Sequence, residues 1–190
     1  MPDTFRTRPH RTAAELAEAL PDILGAPKDE GRLDLIVSRP GHGQRTALNT
    51  AAVSLAGGLQ GDHWSKGCWR TTEAGDPHPD VQICMMMSRC IAAIAGDMEN
   101  WPPAGDNFFI DMDLTPANMP PGTRFSIGTA EFVVTEEIHA GCDAFIERYG
   151  RDACVFVNTG PGKTHKLRGI YARVTKDGEI ARGNVLRKLS

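Results

Sequence analysis

Twenty glycines and thirteen prolines in a chain of 190 residues break it into short pieces. Glycine opens the positive-φ turns, and proline removes a backbone donor, so long helices and long unbroken strands are not expected. Most pieces between the breaks have strand character. Arg32-Leu33-Asp34-Leu35-Ile36-Val37 reads as a strand, and Phe108 to Leu114 alternates apolar residues with Asp111 and Asp113. Phe125 to Ile127 and Glu131 to Thr135 are strands separated by Gly128, and Leu167 to Val174 and Val185 to Leu189 are two more. Val81 to Met87 is apolar throughout and reads as a buried strand, with Met85-Met86-Met87 as gap-filling core rather than a soft-metal site. Thr46 to Leu55 carries mixed signals, a strand followed by a loop, and Asp177-Gly178 is a hairpin turn signal.

Helical pattern is scarcer. Thr12-Ala13-Ala14-Glu15 forms a capping box, followed by Leu16, Leu20, Ile23 and Leu24 at helical spacing, with Pro21 expected to kink or end the helix. Ser88 to Asp97 reads as a helix with Ile91 and Ile94 on its apolar side. Ala144 to Tyr149 reads as another, and Asp152 to Val157 continues the helical segment. The sum is a mainly β (α+β) chain, a barrel or sandwich with a few inserted helices. Residues 1–31 read as an N-terminal extension with a short helix, loose over 1–11, and residues 32–190 as the main domain.

A net charge of −3 gives no general attraction to nucleic acid or an anionic membrane. No apolar run approaches the roughly 18 residues needed to span a bilayer, and Met1 to Arg8 has no apolar signal-peptide region. Five cysteines at irregular spacing suit a reducing cytoplasm better than a disulfide framework.

Cys142 is the leading candidate for chemistry. It lies between the strand-like Glu131 to Thr135 and the helix-like Ala144 to Tyr149. At a helix N-terminus the orphan N–H groups and the positive end of the dipole favour thiolate, the form that attacks electrophiles and ligates soft metals. The same position suits an inert packed cysteine. His63-x4-Cys68 and His139-x2-Cys142 resemble halves of a zinc site but lack the paired short spacing of structural zinc modules. His139 reads instead as either a neighbour tuning Cys142 or, as lone histidines more often are, a packing or surface residue. Gly160-Pro161-Gly162-Lys163-Thr164 mimics the end of a phosphate-binding loop. Val157 stands where the first glycine is needed, and a strand follows where a helix should, so nucleotide hydrolysis is rejected. What remains is a basic stretch of Lys163, His165, Lys166, Arg168 and Arg173, read as either a solvated surface or an anion clamp. No G-x-S-x-G pattern supports a serine hydrolase.

Taken in order, three stretches resemble the MOSC domain, the family named after the C-terminal part of molybdenum cofactor sulfurases. Gly58-Leu59-Gln60-Gly61-Asp62-His63 is similar to its early glycine-rich loop. Gly105-Asp106-Asn107-Phe108, continuing through Asp113 to Asn118 and Pro120 to Gly128, is similar to its central passage. His139-Ala140-Gly141-Cys142 is similar to the segment holding its characteristic cysteine. The resemblance runs from about Leu33 to Leu189. It implies a closed barrel-like β core, and a Cys142 that either carries sulfur as a persulfide or ligates the molybdenum of a pyranopterin cofactor. His63, Asn107 and His139 would then supply polar contacts around the sulfur, and Lys163, Lys166, Arg168 and Arg173 would neutralise the cofactor phosphate. The pyridoxal phosphate domain of the sulfurases is not expected in this chain.

Two functions follow from the resemblance. One is catalytic: sulfur transfer, or two-electron reduction of an N–O bond in a small N-hydroxylated substrate, with a redox protein or cysteine desulfurase as partner. The other is a non-catalytic carrier delivering sulfur or molybdenum cofactor. The sequence carries no flavin, nicotinamide or iron–sulfur motif, so a reductase would draw on an external donor.

Overall fold

The computed structural model describes residues 9–189. Helix α1 (Ala13–Leu24) leads into strand β1 (Glu30–Ser38), then β2 (Thr46–Leu48), β3 (Thr50–Ser54) and β4 (Gly58–Leu59). Strand β5 (Ile83–Met87), helix α2 (Ser88–Ala95) and strand β6 (Phe108–Asp111) follow. The chain continues through β7 (Arg124–Ile127), β8 (Ala130–Val134), α3 (Asp143–Tyr149), α4 (Arg151–Asn158) and α5 (Gly160–Thr164). It ends in β9 (Ile170–Lys176), β10 (Gly178–Ala181) and β11 (Val185–Lys188).

The main sheet runs β11-β7-β8-β9-β5-β6-β1, and β1 pairs with β11 to close it into a seven-strand barrel. Closure depends on the length of β1. Its first residues pair with β11 at Glu30↔Arg187, and its last pair with β2 at Ile36↔Leu48. Its other edge pairs with β6 through a register shift between Leu33 and Leu35. A bulge of that kind bends a strand and increases its twist, which a closing sheet needs. Six of the seven barrel junctions are antiparallel, and β5–β6 is parallel. A parallel pair needs a crossover, and α2 supplies it. Strand β5 is accordingly buried at every position, as expected for a strand covered on both faces. Met85, Met86 and Met87 are core, as their setting in an apolar run predicts.

Phe108, Phe125 and Phe132 fill the interior without exposure. The rings of Phe125 and Phe132 stack at 5.2 Å, and Phe108 meets Phe132 edge-on at 5.8 Å. Helix α1 belongs to the same core through Leu16 and Ile23. It opens on the predicted capping box, with Thr12 and Glu15 satisfying each other's backbone N–H. Pro21 does not end it. The exposed ring is carried within the helix, and burial of Ile23 two residues later draws the chain on to Leu24. The loose region expected over residues 1–11 lies outside the described residues as far as residue 8.

Two further expectations are corrected. Asp177-Gly178 is not a hairpin turn between neighbouring strands. Strand β10 leaves β9 and pairs with β3 at Gly178↔Val53, and Asp177 Oδ1 accepts the Leu55 N–H at 2.8 Å. The mixed signal over Thr46 to Leu55 comes from two strands in different sheets: β2 extends the barrel sheet, while β3 joins β4 and β10 in a small second sheet. Among the described residues no helix is long and apolar enough to cross a membrane.

Phe132→Ala removes a ring packed against two others in a site with no exposure, and is expected to cost about 3–5 kcal/mol of unfolding free energy. Val155→Ala, at a position 48% exposed, should fall within about 0.5 kcal/mol of wild type. Urea denaturation of both variants checks the contrast.

Candidate functional site

Asp62 is the anchor of the site. It follows Gly61, whose φ of +79° turns the chain back toward the end of β1, a backbone conformation that disfavours side chains. The carboxylate is almost fully enclosed. It accepts hydrogen bonds from Arg39 N at 2.9 Å, Arg39 Nε at 2.8 Å and Arg39 Nη2 at 3.1 Å. It also accepts from Trp64 N at 3.0 Å and Asn107 Nδ2 at 2.9 Å. Burial works against its charge, but the Arg39 guanidinium and these donors hold the carboxyl below the usual carboxylate range.

Arg39 carries the network outward. Its Nη1 donates to the Gly105 carbonyl at 3.1 Å and lies 3.3 Å from the Cys84 sulfur. Asn107 carries it inward. Its Oδ1 accepts the Cys84 N–H at 3.0 Å and its Nδ2 also reaches the Val37 carbonyl at 3.2 Å, so one amide ties β1 to β5. Gly105, with φ +90°, turns the chain so that Asp106 and Asn107 enter the interior, both with no exposure. Asp106 Oδ2 takes Arg168 Nη1 at 2.8 Å, while Arg168 Nη2 donates to Ala104 O at 2.8 Å. The Arg168 guanidinium sits over the Phe145 ring at 5.0 Å.

Above this polar floor is a cavity of about 100 Å³. Arg39, His63, Cys68, Cys84 and His139 line it together with Trp64, Trp69 and Tyr171. His63 Nδ1 donates to the Arg39 carbonyl at 2.8 Å, which fixes that ring against β1. The His139 ring packs on Tyr171 at 4.6 Å between centroids. Burial, reinforced by Arg168 and Arg39, holds His139 well below the ordinary histidine value, so its imidazole is neutral. Burial pushes the Cys84 thiol up, despite Arg39 beside it, so this cysteine is a thiol rather than a thiolate.

Cys142 stands outside this cavity lining. It is the N-cap of α3 and is exposed. Its carbonyl takes the Phe145 and Ile146 N–H groups at 2.8 and 3.1 Å, while the thiol makes no capping bond. Asn158 at the end of α4 holds the preceding residue, with Gly141 N donating to its Oδ1 at 2.9 Å. Three residues of chain reach no more than about 10 Å, so the Cys142 backbone stays within that distance of His139.

Of the residues singled out by sequence, His63 and His139 meet at the cavity and Asn107 lies in the floor beneath it. The basic residues do not converge there. Lys163 on α5 is exposed, Lys166 follows that helix with φ +50°, and Arg173 on β9 pairs with Asp80 at 3.3 Å. Arg168 lies inside the protein on Asp106. Asp111 pairs with Arg89, and Asp113 is buried and accepts the Thr115 N–H, so neither faces the cavity. His63, Cys68 and His139, three of the four residues in the zinc-like half-motifs, line this same cavity. Among the described residues no group of three or more His, Cys, Asp or Glu is arranged to hold a metal ion. Sequence reasoning missed Arg39, Trp69 and Tyr171. The one available signal was a lone arginine between the buried run of β1 and the Pro40-Gly41 turn.

The MOSC domain profile matches residues 74–187, more than half of the chain, and the chain belongs to the MOSC domain family. The YUAD protein from Bacillus subtilis is similar in fold at 16% identity and TM-score 0.55, over 83% of this chain and 94% of that one. YiiM from Geobacillus stearothermophilus (17% identity, TM-score 0.54) covers 84% of this chain and 75% of its own. YiiM from Escherichia coli (19%, 0.53) covers 84% and 70%. At these identities the likeness is one of fold. No curated protein matches the chain in sequence.

Asp62→Asn keeps the shape of the side chain but strips the countercharge from a mostly buried arginine. It should cost about 3–5 kcal/mol of stability by urea denaturation, and a loss below about 1 kcal/mol would contradict the anchoring role. The wild-type contribution has a defined pH sense. Because the folded-state pKa is depressed, it is fully present above the ordinary carboxylate range and is lost as pH falls through the folded value.

Proposed function

We propose that this MOSC domain protein handles sulfur through Cys142, which carries a persulfide received from a partner protein. The observation behind this reading is an exposed, unbridged thiol that lies at the family's cysteine motif and outside the cavity lining. The other cysteines are less accessible: Cys84, Cys90 and Cys154 are buried and Cys68 is half-buried. A sulfur carrier needs a sulfur atom that a second protein can reach. The Cys142 thiolate would attack the terminal sulfur of a donor persulfide, such as that of a cysteine desulfurase. The new S–S bond forms at Cys142, the donor's S–S bond breaks, and the donor leaves as thiolate.

The molybdenum cofactor associated with the family fits this arrangement poorly. Small-molecule sites usually enclose about 300–1,000 Å³, and the cavity here is near 100 Å³. Among the described residues, Lys163, Lys166 and Arg173 are not cavity residues and Arg168 is engaged by Asp106, so the basic stretch read as a phosphate clamp does not gather at the cavity lining. One observation keeps molybdenum ligation by Cys142, and with it reduction of N-hydroxylated compounds, as a second reading. Cys142 is close along the chain to His139, so a group lying across the rim could meet both.

Intact mass under non-reducing conditions, with elemental analysis for molybdenum, separates the readings in protein from a host that makes the cofactor. A gain of about 32 Da, absent in Cys142→Ser, is the expected result. Molybdenum near one per chain, lost in Cys142→Ser, would replace it with the metal reading. Neither signal would leave Cys142 without a role in sulfur or metal chemistry.

A further inference from the structure

We infer that His139 is the proton acceptor of the cavity, held in one tautomer by Asp106, and that it serves a small ligand bearing an acidic X–H group such as a thiol. The inference rests on the reading of Cys142 only for the identity of that ligand.

The geometry is one of mutual need. His139 Nδ1 and Asp106 Oδ1 are both sealed from solvent, and neither has a hydrogen-bond partner. They face each other at 3.4 Å, a few tenths of an ångström beyond bonding distance. Catalytic hydrogen bonds often stand long before a ligand arrives. Asp106 cannot turn to another donor, because Arg168 fixes Oδ2 at 2.8 Å and is itself fixed by Ala104 O. The approach is built into the backbone. A Cβ at Gly169, where φ is +115°, would stand 2.2 Å from Met85 O and 3.3 Å from His139 Nδ1. Only glycine lets β9 start this close to the ring.

With Nδ1–H aimed at Asp106, the lone pair of the neutral imidazole is on Nε2. That atom is not sealed in, and the ring lines the cavity. The charged and titratable groups around the ring are Asp106 and Arg168, then Arg39 and Cys84, and Tyr171 against its face, while His63 and Cys68 line the same cavity. Burial, with the two guanidiniums adding to it, keeps the ring unprotonated. When a ligand X–H enters, its proton passes to Nε2, the electron pair stays on X, and the imidazolium is balanced by Asp106. A thiol treated in this way becomes the thiolate that attacks the outer sulfur of a Cys142 persulfide: the new S–S bond forms on the ligand, the Cys142 S–S bond breaks, and Cys142 leaves as thiolate. Asp106 and Arg168 are positioning residues in this scheme.

Two measurements on the cofactor-free full-length protein test the dyad directly. Long-range proton–nitrogen NMR, with His139→Gln to assign the signal, should show Nδ1 protonated and Nε2 bare. An Nε2–H tautomer overturns the inference. Carbethoxylation by diethyl pyrocarbonate, mapped by mass spectrometry, should proceed at His139 with less than a twofold change between pH 7.5 and 5.5. Free N-acetylhistidine slows roughly tenfold over that range. A His139 that is unreactive, or that slows like the free compound, also overturns it. Asp106→Asn, checked for folding by circular dichroism, should cut the His139 rate at least fivefold, and an unchanged rate removes Asp106 from its role.

The functional arm uses protein persulfidated at Cys142 and cysteamine as the acceptor. His139→Gln should slow sulfur release at least tenfold at pH 6 and recover near pH 9, where the acceptor thiol ionises unaided. An equal loss at both pH values would make His139 structural. Failure of Cys142 to take up sulfur sinks the sulfur-carrier reading and leaves the NMR and modification results to decide the dyad.

Discussion

A single carboxylate, Asp62, gathers five hydrogen bonds from three stretches of chain that the sequence keeps far apart. A buried charge is tolerated only when paired and fully bonded, so this cluster forms as a unit or not at all. Its partners are the end of β1, the turn containing Trp64, and the approach to β6. Those are the segments that make the floor and one wall of the cavity. The barrel closes through β1 and β11, but the orientation of the cavity-lining groups follows from Asp62.

Burial divides the cysteines by role. Burial favours the thiol at Cys84 and Cys90, and Cys84 is pushed up even with a guanidinium 3.3 Å away, because burial is the larger effect. Cys142 is exposed at the surface, where a second molecule can reach it. The cavity has aromatic walls, a neutral histidine and paired charges. In the proposed scheme it takes a small ligand that gives up a proton, a task distinct from that of the thiol.

Much of this was readable from local pattern. The apolar run of β5 and the capping box of α1 are short-range features, and each became the element expected, whereas the alternation over Phe108 to Leu114 gave a strand only as far as Asp111, buried on both faces over Phe108 to Ile110 rather than half-buried. The glycine-rich loop ending at Asp62 and His63 and the Gly105-Asp106-Asn107 turn were identified as site segments, and they meet in the structure. Pairing between distant charges was not readable. Arg168 sits in a basic stretch and resembles its neighbours Lys163 and Lys166, yet it alone is drawn inside, because Asp106 waits there some sixty residues earlier in the chain. The turn at Asp177-Gly178 failed for a related reason: its local chemistry suits a hairpin, but β3 offered β10 a better edge. Pro21 lay within the helix because the core on the far side of α1 outweighed a local breaker.

The central claim is that Cys142 is the thiol this fold presents for reaction. Timed alkylation of the native protein with iodoacetamide, resolved by peptide mass spectrometry over all five cysteines, tests it most directly. The account predicts that Cys142 is labelled first, at least tenfold faster than Cys68, while Cys84, Cys90 and Cys154 stay unlabelled until the protein unfolds. Labelling of Cys68 or Cys84 ahead of Cys142 would contradict it and move the reactive sulfur into the cavity.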